Sequence, residues 1–233
     1  MNFKTMLQTD FDLTRYGLAD FDAVILANGE PPYHPIPKQV LRKAPFVVCC
    51  DGAIEWCDRA DAVVGDCDSI PSWARKMHEK IIQQESEQDD NDLTKATRFC
   101  IEKGFRHIVY LGATGFREDH TLGNISLMMR YACEGLQVGD SAGKVKVKPV
   151  MITNCGWFVP AQGTVTFESF PGQQVSIFNF GCRQLRTEGL LYDGYPFTQL
   201  WQGTLNEAAA DSFVIEADGD YLVFRTFEGK MLQ

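Results

Sequence analysis

The feature that most constrains this chain is the alternation, through its first half, of short apolar runs with longer helical patterns. "DAVILAN" (22–28), "FVVCC" (46–50), "AVVG" (62–65) and "HIVYLGA" (107–113) read as strands, with "KIIQQ" (80–84) a weaker one. Between them, "PKQVLRKA" opens on Pro37, "IPSWARKMHEK" offers Ser69 as a cap with Pro71 near the first turn, and "DLTKATRFCIEKG" stops at Gly104. Strands that alternate with helices imply a mainly parallel sheet covered on both faces. In such sheets ligands bind beyond the carboxyl ends of the strands.

After a long helical pattern (119–135) the texture changes. "LQVGDSAGKVKVKP" is polar and contains glycine, as a domain junction does. Beyond it "VMITN", "GWFVPA", "TVTFESF", "QVSIFNFG", "FVIEA" and "YLVFRTF" are short β-rich runs broken by Gly, Pro, Asn or Asp-Gly. The expected fold is an α/β N-terminal domain over residues 1–140, with a mainly parallel, Rossmann-like sheet. An all-β C-terminal domain, a sandwich or small barrel, follows over residues 141–233.

Composition narrows the partners. A net charge of −9 and a pI near 4.9 argue against nucleic acid, whose phosphates are met by clustered Lys and Arg, and favour small-molecule ligands. No apolar run approaches the length of a membrane helix, and "MNFKTMLQTDFDLTRYG" lacks the core and cleavage site of a signal peptide. The expected location is the cytoplasm. The eight cysteines (49, 50, 57, 67, 100, 133, 155 and 182) include no CxxC pair, so they read as reduced core thiols.

The carboxylates carry the chemistry. In "DAVVGDCDS" an apolar strand runs through Gly65 into Asp66 and Asp68. In extended backbone, residues i and i+2 point to one side. The pair then lies ~6 Å apart, where repulsion is roughly 3 kcal/mol at an effective dielectric of 20, and calls for a cation. Alone, the pair reads equally well as a surface turn. A second cluster, Asp89, Asp90 and Asp92 in "EQDDNDLTKA", sits at a helix start; alone it reads better as capping, with Lys95 three residues beyond Asp92. Two acidic groups at one sheet edge together make an oxygen-rich pocket suited to Mg²⁺, and Mg²⁺ implies a phosphate substrate.

The third element, "LGATGFREDHTLGNI" (111–125), is strand, glycine turn and helix, an arrangement whose backbone N–H groups can receive phosphate oxygens. It is neither a Walker loop nor a dinucleotide fingerprint. Arg117 is a candidate bidentate phosphate ligand, with Asp119 and His120 at the helix start; a capping or packing role is the plain alternative for His120. No G-x-S-x-G elbow and no activated cysteine is present, which leaves electrostatic phosphoryl chemistry.

In order and spacing, "DGA" (51–53), "GDCDS" (65–69), "QDDNDLTKA" (88–96) and "GFREDHTLGN" (115–124) resemble the motifs of the thiamine pyrophosphokinase family. The resemblance covers about residues 46–130 and is faint beyond. It implies transfer of pyrophosphate from ATP to thiamine, with Mg²⁺ as cofactor, by a homodimer of an α/β domain and a β-sandwich that holds thiamine between subunits. Carried over, Asp66, Asp68 and Asp92 are the metal and catalytic carboxylates, with Asp51 and Asp89 close by and Asp89 a further metal ligand. Gln88, Lys95, Arg117 and Asp119 contact ATP or its phosphates, and Asp51 lies on the substrate side. Either Asp92 or Asp68 accepts the alcohol proton.

The chain departs from the family pattern at Ala53 and Glu55, which replace a Gly and an Asn. "GLLYDG" nominates Tyr192 as the aromatic against thiamine, and "GTLNE" nominates Asn206, although Leu205 stands where a serine is expected. Trp201 could instead offer the stacking face for the thiazolium, its alternative being a rim aromatic. Other readings are transfer to a different small alcohol and a non-catalytic nucleotide or thiamine sensor.

Overall fold

The computed structural model describes residues 10–18, 20–85, 90–139 and 143–229, and the chain divides into two compact units, Met1–Asn154 and Cys155–Gln233. In the first unit the strands are β1 (Ala23–Leu26), β2 (Val47–Cys50), β3 (Ala62–Gly65), β4 (Ile82–Gln84), β5 (His107–Leu111) and β6 (Lys148–Ile152). They pair in parallel in the order β6-β5-β1-β2-β3-β4. Every residue of β1, β2 and β3 is buried, as continuous apolar runs without a polar face require.

Helices α1 (Pro35–Lys43), α2 (Ser72–His78), α3 (Asp92–Glu102) and α4 (Glu118–Cys133) return the chain between strands. α1 starts where His34 Nδ1 accepts the Ile36 N–H at 3.3 Å and Pro35 fixes the first turn. α3 starts at Asn91, whose Oδ1 accepts from the backbone N–H and the hydroxyl of Thr94. Ser69, expected to cap α2, does not; α2 follows Pro71 with no side-chain cap, and Ser69 is turned toward the carboxylates instead.

"VMITN", grouped by its sequence with the β-rich half, belongs to the first unit. Its apolar residues lie in β6, pair in parallel with β5 and are buried. The first unit therefore runs past the polar stretch near residue 140 to Asn154. An apolar run of this length states that a strand is buried, not which neighbour it takes.

The second unit is all antiparallel. β7 (Gly156–Gln162), β9 (Gln173–Asn179), β11 (Asn206–Glu207) and β13 (Asp220–Gly229) form one sheet in the order β11-β9-β13-β7. β8 (Val165–Glu168), β10 (Leu185–Glu188) and β12 (Ser212–Ala217) form a second, in the order β10-β12-β8. One buried cluster draws Val175, Ile177, Tyr221 and Val223 from the first sheet and Phe167, Leu185, Phe213 and Ile215 from the second. Alternate residues of β9 point into it, the period-2 pattern of a sheet with one buried face. Arg225 is buried here, its guanidinium 4.6 Å from the Trp157 ring and 5.2 Å from that of Phe167.

Candidate active site

β1 lies between β5 and β2, so the chain leaves β1 toward one side of the sheet and later returns on the other. Loops at such a reversal diverge and leave a crevice at the carboxyl edge. A cleft of about 610 Å³ opens there, walled by Ala27–Gly29 after β1 and by Gly112 and Ala113 after β5. The two walls are fastened together by Gly29 N–H to Gly112 O (2.7 Å) and Glu30 N–H to Thr114 O (2.8 Å). A β-carbon on Gly29 would sit 2.4 Å from Gly112 O, so only glycine permits this approach.

Three carboxylates meet at the strand ends. Asp51 follows β2, Asp66 and Asp68 follow β3, and one oxygen of each lies within 4.8 Å of the others. The Asp66–Asp68 convergence is not that of an extended strand: Cys67 has φ 69°, and Asp68 N–H donates to Asp66 Oδ1 at 3.1 Å, closing a local turn. Asp51 also lies in the left-handed region, at φ 42°. Such residues cost on the order of 1 kcal/mol each and gather at functional sites.

Asp51 Oδ2 accepts the Ser69 N–H at 3.0 Å, which ties the β2 end to the β3 turn, while Ser69 Oγ donates to Asp68 Oδ1 at 2.8 Å. Asp51 Oδ1 is buried and has no hydrogen-bond partner among the described residues. Burial, and then the charges of Asp92 and Asp66, raise the proton affinity of Asp51, against the Ser69 hydrogen bond that lowers it. An orphaned buried oxygen on one member of a three-carboxylate set, made only of oxygen donors, fits a hard divalent cation.

Asp92 is the first residue of α3 and lines the cleft. Burial raises its pKa, and Lys95, one turn on, opposes that shift with Nζ 3.4 Å from Asp92 Oδ1. Lys95 is itself only 2% exposed, a cation held inside the cleft wall. Asp90 turns instead to Arg98 as its ion-pair partner. Gln88 and Asp89 lie outside the described residues.

Arg117 and Asp119, both expected to contact ATP or its phosphates, grip one another. Arg117 Nε and an Nη reach the two Asp119 oxygens at 3.1 and 2.6 Å, and this holds the Asp119 carboxyl down at about 2. Both are well exposed, so the pair orients the guanidinium at the cleft rather than stabilising the fold. His120 is exposed beside them.

Asn124, which sequence reasoning passed over, donates to Ala113 O at 2.8 Å and accepts from Asn91 Nδ2 at 3.1 Å. It joins the β5 loop to the cap of the helix that presents Asp92. Its only sequence signal was a place in the "DHTLGN" segment.

In the second unit Tyr192 and Trp201 are 66% and 71% exposed. Asn206 is buried and fully engaged: Oδ1 accepts from Tyr192 N–H (3.2 Å) and Glu207 N–H (2.8 Å), and Nδ2 donates to Tyr192 O (2.8 Å). Its role here is to fix the loop that carries Tyr192. Leu205 has φ 67° and is 81% exposed, while Ala53 is a core residue and Glu55 faces solvent.

Carboxylates suited to a cation and basic groups suited to anionic oxygens share one cleft at the carboxyl edge of the parallel sheet of an α/β unit. The catalytic-domain model of thiamin pyrophosphokinase matches residues 37–138, and the model of the thiamin pyrophosphokinase substrate-binding domain matches residues 156–224. The chain belongs to the thiamin pyrophosphokinase family.

It is 30% identical over 124 residues to thiamin pyrophosphokinase 1 of Caenorhabditis elegans, a match covering 46% of this chain and 49% of that protein. It is 31% identical over 84 residues to thiamine pyrophosphokinase 1 of Oryza sativa subsp. japonica, covering 32% of each. The matched stretches thus span half or less of these curated relatives. The solved thiamin pyrophosphokinase from Candida albicans shares the fold, with a TM-score of 0.70 at 18% identity over 93% of this chain and 91% of that one.

Proposed function

We propose that the chain is a thiamine pyrophosphokinase, transferring a pyrophosphoryl group from ATP to the hydroxyethyl oxygen of thiamine and giving thiamine diphosphate and AMP. The observation that carries this reading is the meeting of Asp51, Asp66 and Asp68 at the carboxyl edge, with Asp92 and buried Lys95 on the same cleft. Asp51, Asp66 and Asp68 would hold Mg²⁺, which when bound neutralises the triphosphate and polarises the phosphorus under attack. Lys95 supplies a fixed positive charge in a low-dielectric wall, where it acts more strongly on anionic oxygens than in water. Arg117, oriented by Asp119, presents a planar donor edge to a phosphate. Asp92, whose proton affinity is raised by burial, suits the removal of the alcohol proton; Asp68 is the alternative base.

Thiamine carries a cationic thiazolium, and the exposed rings of Tyr192 and Trp201 lie in the region matched by the substrate-binding model. Leu200, Trp201 and Leu205 are 59%, 71% and 81% exposed, an apolar surface that a second copy of the chain would cover, so the enzyme is a homodimer in this reading. No helix among the described residues is long and apolar enough to cross a membrane. Cys49, Cys50, Cys57, Cys67, Cys100 and Cys182 are buried thiols, in keeping with a reducing cytoplasm.

The decisive experiment incubates the full chain with ATP, thiamine and Mg²⁺ and resolves the nucleotide products. AMP together with thiamine diphosphate is expected; ADP would make it a kinase, and binding without turnover a sensor. Chelating the cation should abolish turnover, and adding Mg²⁺ at 100 times its dissociation constant should stabilise the fold by about 2.7 kcal/mol, read as a rise in melting temperature. Asn206→Ala leaves the backbone of Tyr192 unpaired, so it should destabilise the protein by about 2 kcal/mol in chemical denaturation and raise KM for thiamine more than for ATP.

A further inference from the structure

We propose that Phe116 is the nucleobase platform of the cleft, the residue that makes it prefer a nucleoside triphosphate over bare polyphosphate; this rests on the phosphate-transfer reading above. Phe116 lines the cleft and yet leaves 71% of itself exposed. An apolar ring lining a polar pocket, next in the chain to Arg117 and on the same lining as His120, has no use for the phosphates themselves. It offers a flat face of the kind on which bases stack.

The ring stands on a fixed post. Phe116 has φ 64°, and Arg117 N–H donates to Gly115 O at 2.9 Å, closing a tight turn around it. Beneath, Gly115 is packed so closely on Glu30 that a β-carbon would lie 2.6 Å from the Glu30 Cβ. A side chain other than glycine in the left-handed region is strained, and a ring left this exposed buries little apolar surface to offset that strain in the free protein.

Placement selects the base rather than another part of the ligand. The loop bearing Phe116 follows β5, whereas Asp66 and Asp68 follow β3, and the order β5-β1-β2-β3 puts three strand intervals between them. At ~4.8 Å per interval the two lie about 14 Å apart along the edge. A triphosphate anchored on the carboxylate side, extended by its sugar, brings its base to the β5 end. Stacking needs no hydrogen-bond readout, so the class is a purine or pyrimidine nucleoside triphosphate.

The test compares ATP with inorganic tripolyphosphate, each with Mg²⁺, by calorimetric titration of the full chain. Phe116→Gly should weaken ATP binding about 5- to 100-fold and leave tripolyphosphate within about twofold, because only ATP carries a ring. Its melting temperature should hold or rise, since glycine adopts this φ without strain, and Phe116→Trp should keep ATP affinity. Equal loss for both ligands would show that the residue shapes the phosphate loop, and unchanged ATP affinity would show that the ring touches no nucleotide; either overturns the proposal. Wild-type protein that binds neither ligand sinks the phosphate-transfer reading along with it.

Discussion

Asp51→Asn should lower pyrophosphoryl transfer by about 100-fold or more while making the cation-free protein more stable, two effects of opposite sign from one atom. The stabilisation follows from burial. Asp51 Oδ1 is buried with no partner among the described residues, and one Asp51 oxygen lies within 4.8 Å of oxygens of Asp66 and Asp68. An amide nitrogen in its place donates where the oxygen could only repel, and the remaining oxygen can keep the Ser69 N–H, so a gain of about 1–2 kcal/mol is expected in urea denaturation. The activity loss follows from the same change, because the cation site loses its buried anionic ligand. Mg²⁺ should then raise the melting temperature of the variant much less than that of the parent. A variant that loses stability while keeping its response to Mg²⁺ would show that Asp51 serves the fold and not the cation.

Lys95→Met should produce a different signature, slow and unstable together. The Lys95 side chain is 3% exposed and pairs with an Asp92 side chain that is 35% exposed. Removing one partner of a fully buried pair costs about 3–5 kcal/mol; because water reaches Asp92, about 2 kcal/mol is the better figure here. Turnover should fall about 100-fold with the loss of a positive charge aimed into the cleft. Adding Asp92→Asn should restore most of the stability, since no unpaired carboxylate remains, and none of the rate. A double-mutant cycle on stability measures that coupling. Simple additivity would mean that the 3.4 Å contact is not an energetic pair.

Much of this arrangement is legible in the sequence alone. The apolar runs at β1, β2, β3 and β5 announced a buried parallel sheet, and a parallel sheet fixes the functional edge whatever the details. Asp66, Asp68 and Asp92 could therefore be nominated together, although they lie far apart in the chain. Other features carried no such signal. Asp51 was nominated only by the family motif "DGA", and its junction with Asp66 and Asp68 depends on β2 and β3 being neighbours and on Ser69 reaching back to it. The turn at Cys67 was one of two readings the sequence left open, and nothing local chose it, because a left-handed residue that is not glycine has no sequence mark.

The second unit divides the same way. The β-rich run "QVSIFNFG" announced β9 as a strand, yet nothing local said that Asn206 holds the Tyr192 backbone with its amide. The Arg117–Asp119 pair was hidden likewise: spacing brings both to a helix start but does not say whether they reach for a ligand or for each other.

By itself, then, the amino-acid order determined the kinds of element, the edge on which chemistry belongs and the family motifs, because hydrophobic period, turn residues and charge type are local properties. Tertiary structure alone decided which strand lies beside which, that β6 completes the first unit, and that one carboxylate oxygen is left buried without a partner among the described residues. Those outcomes depend on distances between residues far apart in sequence, and on the desolvation that only packing creates.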